Sequence, residues 1–296
     1  MGNTISKGTN FPHSVVTDIF NKVQGHSALA KLSAQKPLSF AGTDVFTFSM
    51  DTEVAIVAES GAKSNGGAQA TPVSIVPIKV EYGTRVTDEF LYASEERQLE
   101  ILEAFTEGFS RKLARGLDIM AMHGLNPRSL TASSVIGTNS FDTNTGVSKI
   151  ETATFAESKI EDAISALGEY IPTGIALSKA SAGVLSQVDE NGYRPYQGYA
   201  WGGNPETVNG LKSDVNTTVS AQVSGGKVDF AIVGDFENAF RWGVAKDIPM
   251  EVIEYGDPDN SGADLKGHNQ VYLRGEAYIG WGILDPGAFA VIRKNA

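Results

Sequence analysis

The chain has 296 residues, 41% of them hydrophobic, and it carries 35 acidic residues against 24 Lys and Arg for a formal charge of -11. This length and apolar content suffice for a large core or two domains, whereas the acidic balance argues against nucleic-acid binding as the main task. Cysteine is absent, which excludes disulfides and thiolate chemistry, and without a long apolar run or charged leader we expect neither a membrane span nor a secretory signal.

The first 32 residues are predicted to form an arm rather than a domain. Residues 14–27 carry apolar side chains at helical spacing and end near Gly25, which predicts a short amphipathic helix. A helix of this size needs a surface on which to bury its apolar face. We therefore take Phe11, Ile19 and Phe20 as candidate contacts with the rest of the chain or with another copy of it.

Two strand patterns follow, separated by a glycine-rich tip. Residues 45–59 are rich in β-branched and aromatic side chains, and residues 73–86 alternate between apolar and charged. The tip at 59–69 carries Lys63 and Asn65. Because an isolated hairpin is marginal in water, we expect another subunit or a ligand to cover this arm, and the alternative is a mobile surface hairpin.

The dominant element is a long helix predicted over residues 95–123, which would span roughly 43 Å. Ser94 is the candidate N-cap, and His123 followed by Gly124 marks the other end. Apolar residues at three- and four-residue steps predict one buried seam along this helix. The seam positions are Leu99, Leu102, Phe105, Phe109, Leu113, Leu117 and Met120.

A second face of the same helix is acidic. Its glutamates repeat at i+3 and i+4, which mildly opposes an isolated helix. These residues are Glu96, Glu100, Glu103 and Glu107. Either water solvates this face, or cations from another element or subunit complete it, and the sequence leaves both interpretations open.

Short helices and strands alternate between residues 150 and 260, which indicates an α/β unit. Thr154 and Glu157 form a capping-box pattern before a helix that should close at Gly168. The last two strand patterns flank the turn at 285–287. We expect both of them to pair with the strand that precedes the long helix.

The sequence shows no recognisable catalytic motif. Its four histidines are scattered and interpreted as non-catalytic, and no Walker, GxGxxG or GxSxG pattern occurs. Asp257, Asp259 and Ser261 have calcium-ligand spacing, but His268 stands where a calcium loop needs Glu. We interpret this stretch as an acidic turn, and we assign no catalytic residue, cofactor or metal.

Several motifs share their order with one known family. They are VPIKVEYGTRVTDEFLYAS at 76–94, LARGLDIMAMHG at 113–124, GIALS at 174–178, VLSQVDENGYRPY at 184–196, VGDF at 233–236 and ILDPGAF at 283–289. Together with the order arm, hairpin, long helix, α/β unit and closing strands, they resemble the major capsid proteins of tailed bacteriophages with the Hong Kong 97 fold. Thr87 and Phe90 depart from that family's usual residues.

The resemblance implies an α+β fold of the Hong Kong 97 type. Residues 1–32 would form an N-terminal arm and residues 33–77 an extended β-hairpin loop. Residues 78–126 and 265–296 would form a peripheral domain with the long spine helix, and residues 127–264 an α/β axial domain near the capsomer centre.

The resemblance also implies a function without catalysis. Copies of the chain would self-assemble into hexamers and pentamers of an icosahedral head around double-stranded DNA, without sequence-specific DNA binding and without a membrane. Further partners would be portal, scaffolding and decoration proteins, with assembly in the bacterial host cytoplasm and the product in the virion. The candidate intersubunit contacts are Phe11, Ile19, Phe20, Lys63, Asn65, Glu96, Glu100, Glu103 and Glu107.

Two other functions stay open. One is the shell protein of an encapsulin-type nanocompartment, which shares the fold implied by the resemblance. The other belongs to a different class, an α/β enzyme whose site is assembled from distant residues, with the aromatic stretch 193–201 as its candidate location.

Overall fold

A computed structural model of the chain describes residues 27–50, 53–63, 65–93, 95–189, 191–220, 228–246 and 250–295. The predicted arm helix with Phe11, Ile19 and Phe20, and the proposed cap Ser94, lie outside these residues. None of the helices in the described part is long and apolar enough to cross a membrane.

Within the described part the chain forms five α-helices: α1 (Ala28–Leu32), α2 (Glu89–Tyr92), α3 (Glu95–His123), α4 (Glu157–Ala166) and α5 (Lys179–Leu185). The predicted long helix is confirmed as α3, which we call the spine helix. It ends at Gly124, whose φ of +68° is the left-handed conformation that closes helices.

Strands β1 (Thr43–Met50) and β2 (Ala68–Ile75) pair with each other in a two-stranded antiparallel sheet. The first strand is shorter than predicted, because residues 53–58 have no strand partner in the described structure. The return strand is broken at Pro77, which lacks the N–H needed to continue the ladder. It resumes as β3 (Ile78–Thr87) in a different sheet.

The second sheet is built around one long strand. The central strand β11 (Gln270–Ile283) pairs with β3 on one side and with β9 (Phe240–Lys246) and β10 (Met250–Ile253) on the other, always antiparallel. The expectation that a closing strand pairs with the strand before the spine helix is confirmed for β11.

The third sheet has six strands in the order β4 (Ser148–Thr152), β12 (Phe289–Lys294), β8 (Asp229–Gly234), β5 (Gly174–Leu177), β7 (Leu211–Val215) and β6 (Thr207–Val208). The last strand therefore does not join β3, contrary to our expectation. The turn at Asp285–Gly287 sends β12 between β4 and β8, where its side chains reach the core on both faces of the sheet.

Strand pairing also crosses the predicted domain boundaries in two places. Strands β9 and β10 lie within 127–264 but pair with β11, and β12 lies within 265–296 but joins the six-stranded sheet. The division into four regions stays a prediction, and hydrogen bonding between sequence-distant strands is the reason why contiguous segments do not match the sheets.

The predicted seam of the spine helix holds only in part. Leu102, Phe109 and Leu113 are buried as predicted, whereas Leu99 is 52% exposed. From Gly116 to His123 every residue is buried, so the end of the helix is enclosed on all sides instead of along one stripe. The surrounding sheets and α1 cover this end, and a periodicity along one helix does not reveal such neighbours.

The predicted capping box before α4 is wrong. The helix begins at Glu157 after Ala156, which offers no capping side chain. The carbonyl of Thr154 instead accepts a hydrogen bond from the Thr152 hydroxyl. The closing residue is as predicted, since Gly168 follows the helix with φ +63°.

Candidate functional site

The hairpin arm, defined as β1, β2 and the tip between them, exposes apolar side chains on one face. Phe46 and Met50 are 70% and 74% exposed, and Phe46 lies opposite Pro72 in the register. The base of the arm is anchored, because Ile75 is fully buried. It contacts β11 where glycines leave room for it. The arm is thus fixed at its root and apolar at its surface.

The tip of the arm places the predicted contact residues Lys63 and Asn65 in the open. Both side chains are exposed, at the far end of a hairpin whose paired strands stop at Met50 and Ala68. Val54 and Ile56, in the segment leading to the tip, are almost fully exposed as well. That Lys63 and Asn65 contact another subunit stays a prediction.

The acidic face of the spine helix is partly neutralised by its own helix. Arg97 Nη1 lies 3.4 Å from Glu100 Oε2, and Arg111 pairs with Glu107. Glu103 is exposed and pairs with no cation in the described ranges, while the side chain of Glu96 lies outside them. The two ion pairs favour solvation for Glu100 and Glu107, which leaves Glu103 as the residue most open to an outside cation.

The predicted acidic turn is confirmed as a turn, and its cation is an arginine of β3. Arg85 Nη2 lies 2.8 Å from Asp257 Oδ1, 2.5 Å from Asp259 Oδ1, 2.5 Å from Ser261 Oγ and 2.9 Å from the Ala263 carbonyl oxygen. The guanidinium holds the pKa of Asp259 below its usual value. Arg85 therefore occupies the point on which these oxygens converge.

A buried ionic cluster lies at the end of the spine helix, formed by His123, Asp142, Asp229 and Arg293. His123 Nδ1 is 2.7 Å from Asp142 Oδ2 and 3.4 Å from Asp229 Oδ2. Its Nε2 is 2.8 Å from the Thr218 carbonyl oxygen. The Thr218 carbonyl can only accept, and Asp142 likewise accepts as long as it is ionised, against the burial that raises its pKa. With Asp142 ionised, both ring nitrogens donate and the ring is an imidazolium cation.

Arg293 completes the ionic cluster from β12. Its Nε donates to Asp229 Oδ1 at 2.8 Å, and its Nη2 donates to Asp142. Lys149 of β4 lies beside the cluster and donates to the carbonyl of Phe141. Since His123 is the last residue of the spine helix, these contacts join the helix to the six-stranded sheet.

Electrostatics within the ionic cluster follow from its burial and its pairing. Burial alone would lower the pKa of His123, but its hydrogen bond to Asp142 and the nearby carboxylate of Asp229 raise it to about 10. Burial also opposes the charge on Asp229, yet the nearby His123 cation and the hydrogen bond from Arg293 hold its pKa below the usual value. Lys149 has fewer counter-charges, so burial lowers its pKa to about 8.

The ionic cluster contains a possible set of metal ligands, which we tested against its charges. His123, Asp142 and Asp229 each offer a ligand atom, all within 4.8 Å of one another. However, Arg293 and the protonated His123 already balance the two carboxylates, with Lys149 close by. A divalent cation would therefore add positive charge to a buried site that has no uncompensated negative charge. These residues do not fit a metal.

A second buried carboxylate anchors α1 to the spine helix. Asp118 accepts hydrogen bonds from the Ser27 hydroxyl, from the Ala28 and Leu29 amides at 3.0 and 3.2 Å, and from Thr218 Oγ1 at 2.7 Å. Burial raises the pKa of Asp118 against these bonds. The carboxylate thus binds the first amides of α1 from another element, alongside the N-cap Ser27, whose hydroxyl accepts from the Ala30 amide.

The aromatic stretch that suggested an enzyme site lies beside a cavity of about 310 Å³ between α4 and the six-stranded sheet. Most of its lining is aliphatic, including Ile160, Leu177 and Leu211. The Tyr196 hydroxyl at its edge donates to Glu157. Burial, and to a smaller extent this hydrogen bond, raises the pKa of Tyr196. This lining provides apolar surface without an evident nucleophile and base.

Neither buried carboxylate site was predicted from the sequence. Asp118 and His123 stand in a motif that we read only as a helix end, and Asp142 stands in an ordinary turn. Their partners come from far along the chain. A hint was present in the charge of Asp118 amid an otherwise apolar run, since an unpaired carboxylate is rarely buried.

Comparison with known proteins gives a consistent result. The profile described as the phage capsid family matches residues 8–294. A solved chain of Mycobacterium phage Ogopogo is 32% identical with a TM-score of 0.77, covering 91% of this chain and 92% of that one. No curated protein sequence matches the chain.

Two further solved structures are similar at lower identity. A chain of Gordonia phage Cozz is 24% identical with a TM-score of 0.73, covering 92% of this chain and 87% of that one. A chain from the capsid of a native GTA particle is 14% identical with a TM-score of 0.61, covering 91% and 90%. At these identities the likeness concerns the fold.

Proposed function

The chain belongs to the phage capsid family, and on this premise we propose that its copies assemble into the hexamers and pentamers of an icosahedral phage head. It is a major capsid protein with the α+β fold of the Hong Kong 97 type. Membership of this family favours a phage head over an encapsulin-type shell and over an α/β enzyme. We propose that the chain has no catalytic activity.

The observation that carries the assembly proposal is the exposed apolar face of the hairpin arm. Burying one Phe or Met side chain contributes about 1.5–3 kcal/mol, and Phe46 and Met50 are mostly exposed on a single subunit. A neighbouring subunit supplies the missing cover. Contacts of this kind, between two different surfaces of identical subunits, close into rings.

We propose a role in intersubunit contact for each of the candidate residues. Lys63 and Asn65 make polar contacts with a neighbour at the end of the hairpin arm. Phe11, Ile19 and Phe20 pack the N-terminal arm on an adjacent surface. In the acidic face, Glu103 is the strongest candidate to meet a cation of the next subunit because it lacks a described partner, and Glu96, Glu100 and Glu107 are the further candidates.

The acidic charge suits a wall around DNA. A net charge of -11 disfavours tight binding to phosphates, so double-stranded DNA would be enclosed without sequence-specific contacts. We extend the proposal to portal, scaffolding and decoration proteins as partners, to assembly in the bacterial host cytoplasm, and to the four regions bounded at residues 32, 77, 126 and 264.

Native mass spectrometry and electron microscopy of the purified protein test assembly directly. We expect hexamers, pentamers or closed shells. A chain that stays monomeric at all concentrations and ionic strengths would contradict the proposal. Nucleic acid inside native particles is expected, and a cargo enzyme in its place would indicate the encapsulin-type alternative.

Charge reversal tests the acidic face separately. The double variant Glu100→Lys, Glu103→Lys should weaken assembly and change its dependence on salt, because neighbouring cations would then face like charges. Glu161→Lys on α4 is the matched control, being an exposed helical glutamate away from the spine helix. Unchanged assembly and salt dependence in the double variant would show that this face is simply solvated.

A further inference from the structure

The three tryptophans of the chain have very different surroundings. Trp242 and Trp281 are 0% and 1% exposed, and their indole N–H groups donate to the carbonyls of Ser33 and Asn139 at 2.9 and 2.8 Å. Trp201 is 98% exposed. Its indole has no hydrogen-bond partner within the described ranges. A large apolar ring is thus left in water while two others carry the core.

The backbone at Trp201 is held in an unfavourable conformation. Its φ of +59° is left-handed, which a non-glycine residue adopts at a cost of roughly 1–2 kcal/mol. Gly202 follows with φ +82°. At Gly203 a Cβ would lie only 2.1 Å from the Gly198 carbonyl oxygen, so the turn closes tightly on itself. Strain of this kind persists only where the surrounding structure imposes it.

Contacts on both sides of Trp201 impose that conformation. Before it, Tyr199 is buried and its hydroxyl lies 2.6 Å from Ser213 Oγ. After it, the Asn204 side chain bonds Asp214 Oδ1 and the Val215 amide, each at 2.9 Å. The loop at 197–205 is therefore clamped to β7 at both ends and presents Trp201 in a fixed position.

A rigid loop that exposes a tryptophan has the properties of a binding anchor. Tryptophan is enriched among the residues that dominate interface energies, and its ring buries about 150–250 Å². Because the loop is already ordered, little conformational entropy remains to be lost on binding. We infer that Trp201 is an assembly anchor, which inserts into an apolar site on a neighbouring copy of this chain.

The choice of a second copy as partner rests on the proposed function. In a ring of identical subunits each copy uses two different surfaces. The hairpin arm is rooted on β11, whereas the Trp201 loop is clamped to β7 of the six-stranded sheet. The receiving site should include a hydrogen-bond acceptor, since a buried indole N–H without one is costly.

Tryptophan fluorescence tests the inference on the unmodified protein. The chain contains three tryptophans and two are buried, so acrylamide should quench mainly Trp201 in unassembled subunits. In assembled shells that quenchable fraction should disappear and the emission should shift to shorter wavelength. Shells in which Trp201 is quenched as strongly as in free subunits would overturn the inference and leave the assembly proposal intact.

Substitution gives an independent readout. Trp201→Ala should leave subunit melting unchanged, because the side chain makes no described contact, but should raise the concentration needed for assembly on the order of tenfold. Trp201→Phe keeps an aromatic ring and should lose less. Assembly of Trp201→Ala at the wild-type concentration would overturn the inference, and a wild type that forms no oligomer at all would overturn it together with the assembly proposal.

Discussion

The hairpin arm and the ionic cluster depart from the usual distribution of residues in opposite directions. The arm turns Phe46 and Met50 toward water. The cluster places Asp142, Asp229 and Arg293 in the interior at the end of the spine helix. One region therefore has apolar groups outside, and the other has charges inside.

The difference lies in where each region finds its partners. Every charge in the ionic cluster faces an opposite charge of the same subunit, so its desolvation is offset within the fold. The apolar face of the hairpin arm has no such cover within the described chain. The first arrangement predicts large effects on folding and the second predicts effects on assembly, and this contrast can be tested.

Removing one charge of the ionic cluster should have the largest effect on the subunit. Asp229→Ala leaves the buried Arg293 without its Nε partner and weakens the pairing of His123, so the free energy of unfolding should fall by about 3–5 kcal/mol. Urea denaturation of unassembled subunits measures this loss. Asp162→Ala, which removes an exposed partner of Lys159, is the control and should change it by less than about 1 kcal/mol. A small loss for Asp229→Ala would contradict the pairing.

The ionic cluster should also make the free energy of unfolding depend on pH, by a smaller amount than the loss expected for Asp229→Ala. The pKa of His123 is raised from 6.5 to about 10, so its contribution is complete below pH 6.5 and is lost as the pH rises toward 10. The pKa of Lys149 is lowered from 10.5 to about 8, which increases stability with pH between 8 and 10.5. The two slopes cancel above pH 8. Stability should therefore fall by roughly 2 kcal/mol between pH 6.5 and 8 and then level off until about pH 10.

Denaturation midpoints measured across this pH range check the stability profile. One variant tests the level region above pH 8. Lys149→Met removes the opposing slope, so its stability should continue to fall beyond pH 8. A wild-type profile that stays flat between pH 6.5 and 8 would show that His123 is not held as a cation.

Changing the hairpin arm should have the smallest effect on the subunit itself. Phe46→Ser alters an exposed side chain, so the free energy of unfolding should change by no more than about 0.5 kcal/mol. Assembly should weaken by about 1–3 kcal/mol, because the ring would no longer be buried against a neighbour. Analytical ultracentrifugation of both proteins measures the assembly constant.

Ser74→Ala is the matched control for the arm. Ser74 is exposed opposite Asp44, two positions from the Phe46–Pro72 pair in the register, and it carries no large apolar group. It should assemble like the wild type. If Phe46→Ser also assembled like the wild type, the apolar face of the arm would need no partner. This result would contradict the expectation that the arm affects assembly whereas the ionic cluster affects folding.

Local sequence patterns predicted the helices and strands of this fold more successfully than they predicted which of these elements contact each other. The spine helix and its glycine stop, the hairpin and the acidic turn follow from spacing and turn chemistry along short stretches. Leu99 was placed in a buried seam because it fits the helical period, but within the described residues about half of its surface stays exposed. The placement of β12 was wrong for a related reason, since strand patterns do not specify the sheet to which a strand belongs.

The sites depend on contacts that sequence patterns cannot express. The members of the ionic cluster are separated by 19, 64 and 151 residues, and Asp118 lies 90 residues from the amides that it caps. Nothing in the local sequence distinguishes Asp142 from any other aspartate in a turn. The resemblance supplied the family, but it did not indicate these pairings.

The sequence by itself determined the spine helix, the hairpin pattern and the family, because periodicity, turn residues and motif order are properties of neighbouring positions. Only the tertiary structure decided which charges are buried together and which apolar groups are left in water. Asp229 and Trp201 illustrate the difference: burial and pairing depend on elements brought together by folding, so an aspartate lies in the interior and a tryptophan at the surface.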